Sequence, residues 1–183
     1  MTYLAAIDPE AATGKTKELL EFVKERSGRI PNMIRSLANS PAALGAYLNL
    51  ASSFRDAELP ARVRDLIAVA VAETADDGYT LAAVCAVARN GGRGVDELND
   101  ARSAKSDDPR IAAALRFAVK IVELRGRIPE PDVTGMKRAG YSDGEIAEIV
   151  AAVVLNLYRS YFNLVAQPEI DFPIVAPTEQ VGA

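Results

Sequence analysis

The sequence contains no histidine and no tryptophan, and its 183 residues include a single cysteine, Cys85. Without histidine there is no Ser-His-Asp or Cys-His catalysis, no histidine proton shuttle and no ordinary zinc site. One cysteine cannot form an internal disulfide or a Cys-x-x-Cys redox pair, which agrees with a reducing compartment. Any chemistry must therefore use carboxylates, Tyr, Lys, Arg, Ser, Thr or Cys85.

Excess positive charge and long apolar runs are also lacking. The chain has 21 basic and 25 acidic residues, a net charge of -4, which argues against nucleic acid as a main partner. No run of about 18 or more uncharged apolar residues occurs, so we expect no membrane span. The first residues lack the basic and long apolar parts of a signal peptide. We predict a cytoplasmic protein with no nucleic-acid partner, no membrane partner, no cofactor and no metal.

Helix signals dominate what is present. The composition is 49% hydrophobic and 25% charged, as in ordinary globular domains. Ser40-Pro41, Asp108-Pro109 and the capping box of Ser142 with Glu145 are helix starts. We predict one all-α domain over residues 1–183 with about eight or nine helices. Its extended tail, about 167–183, is expected to lie on the surface or to clasp a neighbouring subunit.

The most apolar stretch follows Leu59-Pro60. Every residue in 66–72 is apolar, which predicts a helix surrounded by protein on nearly all sides. A buried strand is the alternative, but the alanine content and the helical neighbours favour a helix. We expect Gly78 to break the chain before a second helix that carries Cys85. A first helix is predicted from Pro9 to about Arg26.

Several segments occur in a characteristic order and spacing. They are the Gly-Arg-Ile-Pro-Asn-Met turn at 28–33, Ser40-Pro41 with its helix, the central helix over 59–73, the Ala-Gly-Tyr-Ser-Asp-Gly-Glu-Ile segment at 139–146, and Asn163 with 169–173. Over roughly residues 28–173 they resemble the carboxymuconolactone decarboxylase and alkylhydroperoxidase AhpD-like family. The resemblance implies an AhpD-like helical bundle and a homo-oligomer, either a trimer or a hexamer.

The redox members of that family carry Glu-x11-Cys-x2-Cys-x3-His. Placed on this chain, the pattern falls on Asp65, Asp77, Thr80 and Val84, so only the acid is retained, as a shorter carboxylate. Tyr79 matches an aromatic residue often found between the two cysteines. The resemblance thus implies that the thiol peroxidase machinery is absent. The decarboxylase branch relies on histidine chemistry, which this chain lacks as well.

The candidate catalytic residues are Asp65, Asp77, Tyr79, Thr80 and Cys85. Asp65 has two interpretations, a general acid/base with a raised pKa or a structural residue paired near the helix start. Its suggested partners are Arg62 and Arg64. Cys85 is either a small buried apolar side chain or the thiol of a one-cysteine peroxidase or sensor.

Two further groups have alternatives of the same kind. The acids at 73, 76 and 77 could hold a hard cation, although a solvated helix end is favoured. Tyr79, Tyr158 and Tyr161 could line a pocket, or could serve as core or interface residues.

Three functional hypotheses follow. The first is a family member with a degenerate redox site whose former active-site pocket binds a small apolar molecule. The second is an enzyme acting on a lactone or similar carbonyl compound through Asp65, assisted by Tyr79 or Asp77, or retaining an alkylhydroperoxidase-type activity through Cys85. The third is an oligomeric subunit with a structural role only.

Overall fold

The computed structural model describes residues 2–176, and the regular secondary structure of this part of the chain is all helical, with no strand. It contains nine α-helices, which confirms the predicted fold class and the upper of the two helix numbers. They are α1 (Gly14–Ser27), α2 (Asn32–Leu37), α3 (Pro41–Ser53), α4 (Ala61–Thr74), α5 (Gly78–Asn90), α6 (Val95–Arg102), α7 (Pro109–Glu123), α8 (Glu130–Arg138) and α9 (Asp143–Ala166). A 3-10 turn, Phe54–Asp56, follows α3.

Helix α4 is the centre of the protein. All residues in 66–72 are buried, and all but Ala68 have no exposed surface. The helix packs against α5, α6, α7 and α9, which explains why it needs no polar face. The strand alternative for this stretch was wrong.

Helices α3, α7 and α9 begin directly after the predicted cap residues. Ser40 accepts a hydrogen bond from the amide of Ala43 at 3.2 Å, and Asp108 accepts one from the amide of Arg110 at 2.8 Å. The capping box of Ser142 and Glu145 is formed in both directions. These caps involve residues close in sequence, so they could be predicted without knowledge of the tertiary fold.

Two predicted boundaries were wrong. Gly78 does not break the chain between α4 and α5; it is the first residue of α5, and the break consists of Asp76, with a left-handed φ of 52°, and the helix cap Asp77. The first helix starts at Gly14 and not at Pro9, since residues 9–11 form a turn.

Apolar side chains form two clusters. The larger surrounds α4 and includes residues of α5, α6, α7, α8 and α9. The smaller joins α1, α2 and α3 with Tyr79 of α5. Helices α5 and α9 contribute to both clusters, so they form the junction between them.

Helix α9 has an unusual distribution of side chains. It is long and apolar enough to cross a membrane by length and composition alone, and 44% of its most apolar window is buried inside the protein. Its buried face carries Asn156, Ser160 and Asn163. Its opposite face exposes an apolar stripe, the α9 stripe, with 41–65% exposure at Val150, Val154, Tyr161, Leu164 and Val165.

The extended segment after α9 folds back on its own chain. Asp171 forms an ion pair with Arg29 and accepts a hydrogen bond from the amide of Asn32 at 3.1 Å. The ring of Phe172 lies under the Arg29 guanidinium, 4.5 Å from the ring centroid. Up to residue 176 the tail therefore lies on the surface of its own chain, which is one of the two predicted placements, and its contact with a neighbouring subunit stays a prediction. The rest of the predicted tail, 177–183, lies outside the described residues.

Candidate functional site

A cavity of about 340 Å³ lies where the two apolar clusters meet. Most of its wall is aliphatic or aromatic, and its polar members come from α3, α4, α5 and α9. The lining residues are Pro31, Met33, Ile34, Tyr47, Ala51, Phe54, Arg64, Asp65, Ala68, Tyr79, Thr80, Ala83, Val84, Val87, Ala152, Leu155, Asn156, Arg159 and Phe172. Its size is at the lower end of the range of small-molecule sites.

The candidate residues divide into two groups. Asp65, Tyr79 and Thr80 line the cavity, whereas Asp77 and Cys85 do not. Val84, at the histidine position of the redox pattern, lines it as well. Three of the four positions assigned by the redox pattern thus line the cavity. An acid, a hydroxyl and a valine replace the glutamate, one cysteine and the histidine.

Asp65 is half-buried at the side of the cavity. Its carboxylate is 3.5 Å from the Nε of Arg93, not beside Arg62, which pairs with Glu97 instead. Arg64 lies near enough to affect Asp65 electrostatically but forms no ion pair with it. Burial raises the pKa of Asp65 above its ordinary value of 3.8, and the charge of Arg93 only partly offsets this effect. The group is therefore better suited to exchange a proton than a solvated aspartate.

Tyr79 joins three separate parts of the chain. Its hydroxyl accepts a hydrogen bond from the amide of Met33 at 2.9 Å and donates one to Asp171 at 2.7 Å. Burial is the main reason why the pKa of Tyr79 lies far above 10, so the phenol stays protonated at neutral pH. Its ring contacts Phe172 edge-on, which fixes the extended segment over one end of the cavity.

Asp77 and Thr80 bind the same side chain of α9. Asp77 caps α5 by accepting a hydrogen bond from the amide of Tyr79 at 3.1 Å. The Asn163 amide donates to Asp77 at 3.3 Å and to Thr80 at 2.9 Å. All three side chains are buried, so these bonds fasten α5 to α9 beside the cavity.

Cys85 belongs to the core around α4. It is 2% exposed, and burial raises the pKa of its thiol. Both features oppose the thiolate that peroxidase or sensor chemistry requires.

The three acids near the end of α4 do not converge. Glu73 pairs with the buried Arg102 at 2.7 Å, Asp77 is the buried cap of α5, and Asp76 is exposed. No group of three metal-binding side chains occurs among residues 2–176. The expectation of a solvated helix end holds for Asp76 and is wrong for Asp77.

The other two tyrosines lie away from the cavity. Tyr158 donates a hydrogen bond to the carbonyl of Ala43 at 3.2 Å and packs in the smaller cluster, whereas Tyr161 is exposed on the α9 stripe. Tyr158 therefore has the core placement that was one alternative to a pocket role, and an interface role for the exposed Tyr161 stays a prediction.

Sequence reasoning missed two arginines in the cavity wall. Arg64 of α4 lies over the ring of Phe54, at 5.7 Å from its centroid, and Arg159 of α9 lies over Tyr47 at 5.5 Å. Neither forms an ion pair within residues 2–176. A signal was present at Arg159, since it is a charged residue in an otherwise apolar helical pattern, but its partner Tyr47 is 112 positions away.

Comparison with known proteins shows the fold. No protein-family model and no curated protein matches the sequence. Among solved structures, the alkylhydroperoxidase AhpD core of an uncharacterized peroxidase-related protein from Ralstonia eutropha JMP134 superposes with a TM-score of 0.84 at 19% identity, over 93% of this chain and 92% of that chain.

Two other solved structures agree. An uncharacterized peroxidase-related protein from Silicibacter sp. TM1040 gives a TM-score of 0.74 at 21% identity, over 96% of each chain. A variant of the debrominase Bmp8 in complex with 2,3,4-tribromopyrrole gives 0.80 at 18% identity, over 93% of this chain and 92% of that chain. The chain has the AhpD-like helical fold, as the resemblance implied. At these identities the likeness establishes the fold and transfers no activity.

Proposed function

We propose that this chain is one AhpD-like domain over residues 1–183, with a degenerate redox site whose cavity binds a small, largely apolar molecule. The observation that carries the proposal is the cavity itself, which is lined by Asp65, Thr80 and Val84 at positions of the redox pattern. The volume of about 340 Å³ is roughly twice the ~150 Å³ apolar cavity known to hold benzene in another protein. The ligand is therefore a substituted single ring or a molecule of similar size.

The fold neighbours support a ligand of this class. The debrominase Bmp8 has been captured with 2,3,4-tribromopyrrole, a compact apolar ring. An AhpD-like scaffold can thus accommodate such a molecule.

Binding can be tested with a neutral probe, 4-(trifluoromethyl)benzamide, followed by fluorine NMR. Ala83 lines the cavity, and Ala83→Phe should fill part of it and abolish binding. Ala46→Phe is the matched control, because Ala46 is an exposed alanine of α3 outside the cavity. If wild type binds no single-ring probe of this kind, or if the probe binds both variants equally, the cavity is not a ligand site. The third hypothesis, a structural subunit, would then be favoured.

We further propose that the protein is not a thiol peroxidase. The cysteine positions of the redox pattern hold Asp77 and Thr80, and Cys85 is buried with a raised pKa. Wild type should consume organic hydroperoxide no faster than Cys85→Ser. A cysteine-dependent rate would overturn this proposal.

A second candidate function is acid/base catalysis by Asp65 on a lactone or similar carbonyl compound. The observation in its favour is the raised pKa of a carboxyl that lines the cavity. Tyr79 and Asp77 are poor assistants, because the first is held by Met33 and Asp171 and the second lies outside the cavity. Asp65→Asn should abolish turnover with the fold retained, and equal turnover in that variant would exclude the mechanism.

We also propose a homo-oligomer, a trimer or hexamer, with the α9 stripe as the contact between copies. The stripe is uncharged, so two copies can approach without repulsion and bury it against each other. Val154→Asp should shift the sedimentation coefficient to that of a monomer, while Ala46→Phe should not. A monomeric wild type would contradict the assignment.

We also propose that the protein is cytoplasmic. About half of the apolar window of α9 is buried inside the protein, which supports a role for α9 in the protein core.

A further inference from the structure

The polar part of the cavity wall points to the charge of the ligand. Its charged members are Arg64, Asp65 and Arg159, so the lining carries a net charge of +1 when Asp65 is ionised. The chain as a whole has a net charge of -4. The cavity is therefore an electropositive site in an acidic protein, and it favours an anion over a neutral or cationic molecule.

Arg159 is held in place yet keeps free donors. Its Nε donates to the hydroxyl of Tyr47 at 3.0 Å, and its Nη1 donates to the Asn156 carbonyl oxygen at 3.1 Å. Asn156 is itself oriented by donating to the carbonyl of Ala152 at 2.8 Å. A guanidinium has five N–H donors, so three have no acceptor within residues 2–176, one on Nη1 and two on Nη2, and a two-oxygen carboxylate can accept from both nitrogens.

The hydroxyl of Tyr47 adds another donor next to the Arg159 guanidinium. Its hydroxyl accepts the bond from Arg159, and its own proton has no acceptor within residues 2–176. Arg64 uses one donor, to the carbonyl of Phe54 at 2.6 Å, and has no carboxylate within ion-pair distance in the same part of the chain. Half-buried cations without counter-ions are unfavourable, and a bound anion removes this cost.

We propose that the cavity binds a small hydrophobic monocarboxylate, with Arg159 and Tyr47 holding the carboxylate and Arg64 contributing a second positive charge. The apolar remainder of the wall selects for a hydrocarbon body, since inorganic anions would lose hydration without gaining apolar contacts. The ligand class is thus an aromatic or branched aliphatic carboxylate. This inference rests on the proposed binding function and specifies its ligand.

The test compares two probes of nearly equal shape, 4-(trifluoromethyl)benzoate and 4-(trifluoromethyl)benzamide, by fluorine NMR titration at neutral pH. Wild type should bind the benzoate at least about tenfold more tightly, the effect of one charge-assisted hydrogen-bonding pair. Arg159→Gln should remove this preference and change benzamide affinity by less than about twofold. Arg159→Lys should keep part of the preference, because it retains charge but not the fork.

Two more variants distinguish a direct effect on carboxylate binding from a general effect on folding. Tyr47→Phe keeps the ring under Arg159 and should weaken benzoate binding about three- to tenfold. Arg26→Gln is the matched control, since Arg26 also lies over an aromatic ring, Phe22 at 5.4 Å, but outside the cavity. It should change neither affinity, and inorganic phosphate should not compete.

The outcomes separate this inference from the proposed function. Benzamide binding without a preference for benzoate overturns the carboxylate assignment and leaves the binding function intact. A preference that survives in Arg159→Gln also overturns the assignment. Absence of binding by both probes counts against the proposed function itself.

Discussion

Replacing Tyr79 by phenylalanine should destabilise the protein more than the loss of one hydroxyl at a surface. Tyr79 is 5% exposed, and its hydroxyl serves two groups at once, the amide of Met33 at 2.9 Å and the carboxylate of Asp171 at 2.7 Å. The Met33 amide is in the first turn of α2 and has no acceptor within the helix. Phenylalanine keeps the ring, so no large cavity forms.

The magnitude follows from the two broken bonds. Leaving a buried amide without an acceptor costs about 1–3 kcal/mol, and a hydrogen bond to a carboxylate contributes about 1.5–3 kcal/mol. The second value must be reduced, because Asp171 keeps Arg29 and the Asn32 amide as partners. We expect a loss of about 2–4 kcal/mol in the free energy of unfolding, which lowers Tm by roughly 4–16 °C in a chain of this size.

The assay is urea unfolding followed by far-ultraviolet circular dichroism, with amide exchange at Met33 as a local readout. Tyr3→Phe is the control, since Tyr3 is 70% exposed and its hydroxyl has no hydrogen-bond partner in the described chain. Exchange at the Met33 amide should accelerate in Tyr79→Phe only. A change in the free energy of unfolding below about 0.5 kcal/mol, within the range of surface substitutions, would refute the reasoning.

Three other substitutions or measurements test separate features. The pKa of Asp65 is raised above 3.8 in the folded protein, so the contribution of this group to stability is greatest below its unfolded pKa and is lost as pH rises through its folded pKa. Wild type should therefore gain stability relative to Asp65→Asn as pH is lowered from 7 toward 4, as measured by urea unfolding. If the difference in unfolding free energy between wild type and Asp65→Asn does not change with pH, the pKa of the Asp65 carboxyl is not raised. Cys85 should react with a thiol reagent much more slowly in the native protein than in urea, and equal rates would contradict its burial. Ser142→Ala should cost about 0.5–2 kcal/mol by removing the cap bonded to the Glu145 amide at 3.0 Å, and an unchanged urea midpoint would exclude that contribution.

The features predicted correctly are those encoded by short stretches of sequence. The caps at Ser40, Asp108 and Ser142 need only neighbours one to three residues away, and the all-apolar segment over 66–72 can only be a core element. Where a local signal was ambiguous, the prediction failed. Gly78 looked like a breaker, but the neighbouring Asp77 side chain caps the helix, so the glycine starts α5.

The cavity could not be predicted in the same way because its wall is assembled by tertiary packing. Asp65 was assigned a partner within three residues, whereas packing of α4 beside the end of α5 brings Arg93 to it. Arg159 and Tyr47 are far apart in sequence and meet only because α3 packs against α9. A polar residue within an apolar helical pattern indicates a partner but does not identify it.

The residues at the positions of the redox pattern have structural roles in this chain, and these roles decide whether a thiol pair could be introduced there. Asp77 caps α5 and, with Thr80, holds the buried Asn163 of α9. Cysteines at these two positions would remove the cap and both acceptors of the Asn163 amide, leaving a buried donor unsatisfied. Val84 contributes apolar surface to the cavity, so a histidine there would place a polar ring in the binding wall. Asp77 and Thr80 thus fasten α5 to α9 in this chain, and a thiol pair at the same two positions could not do so.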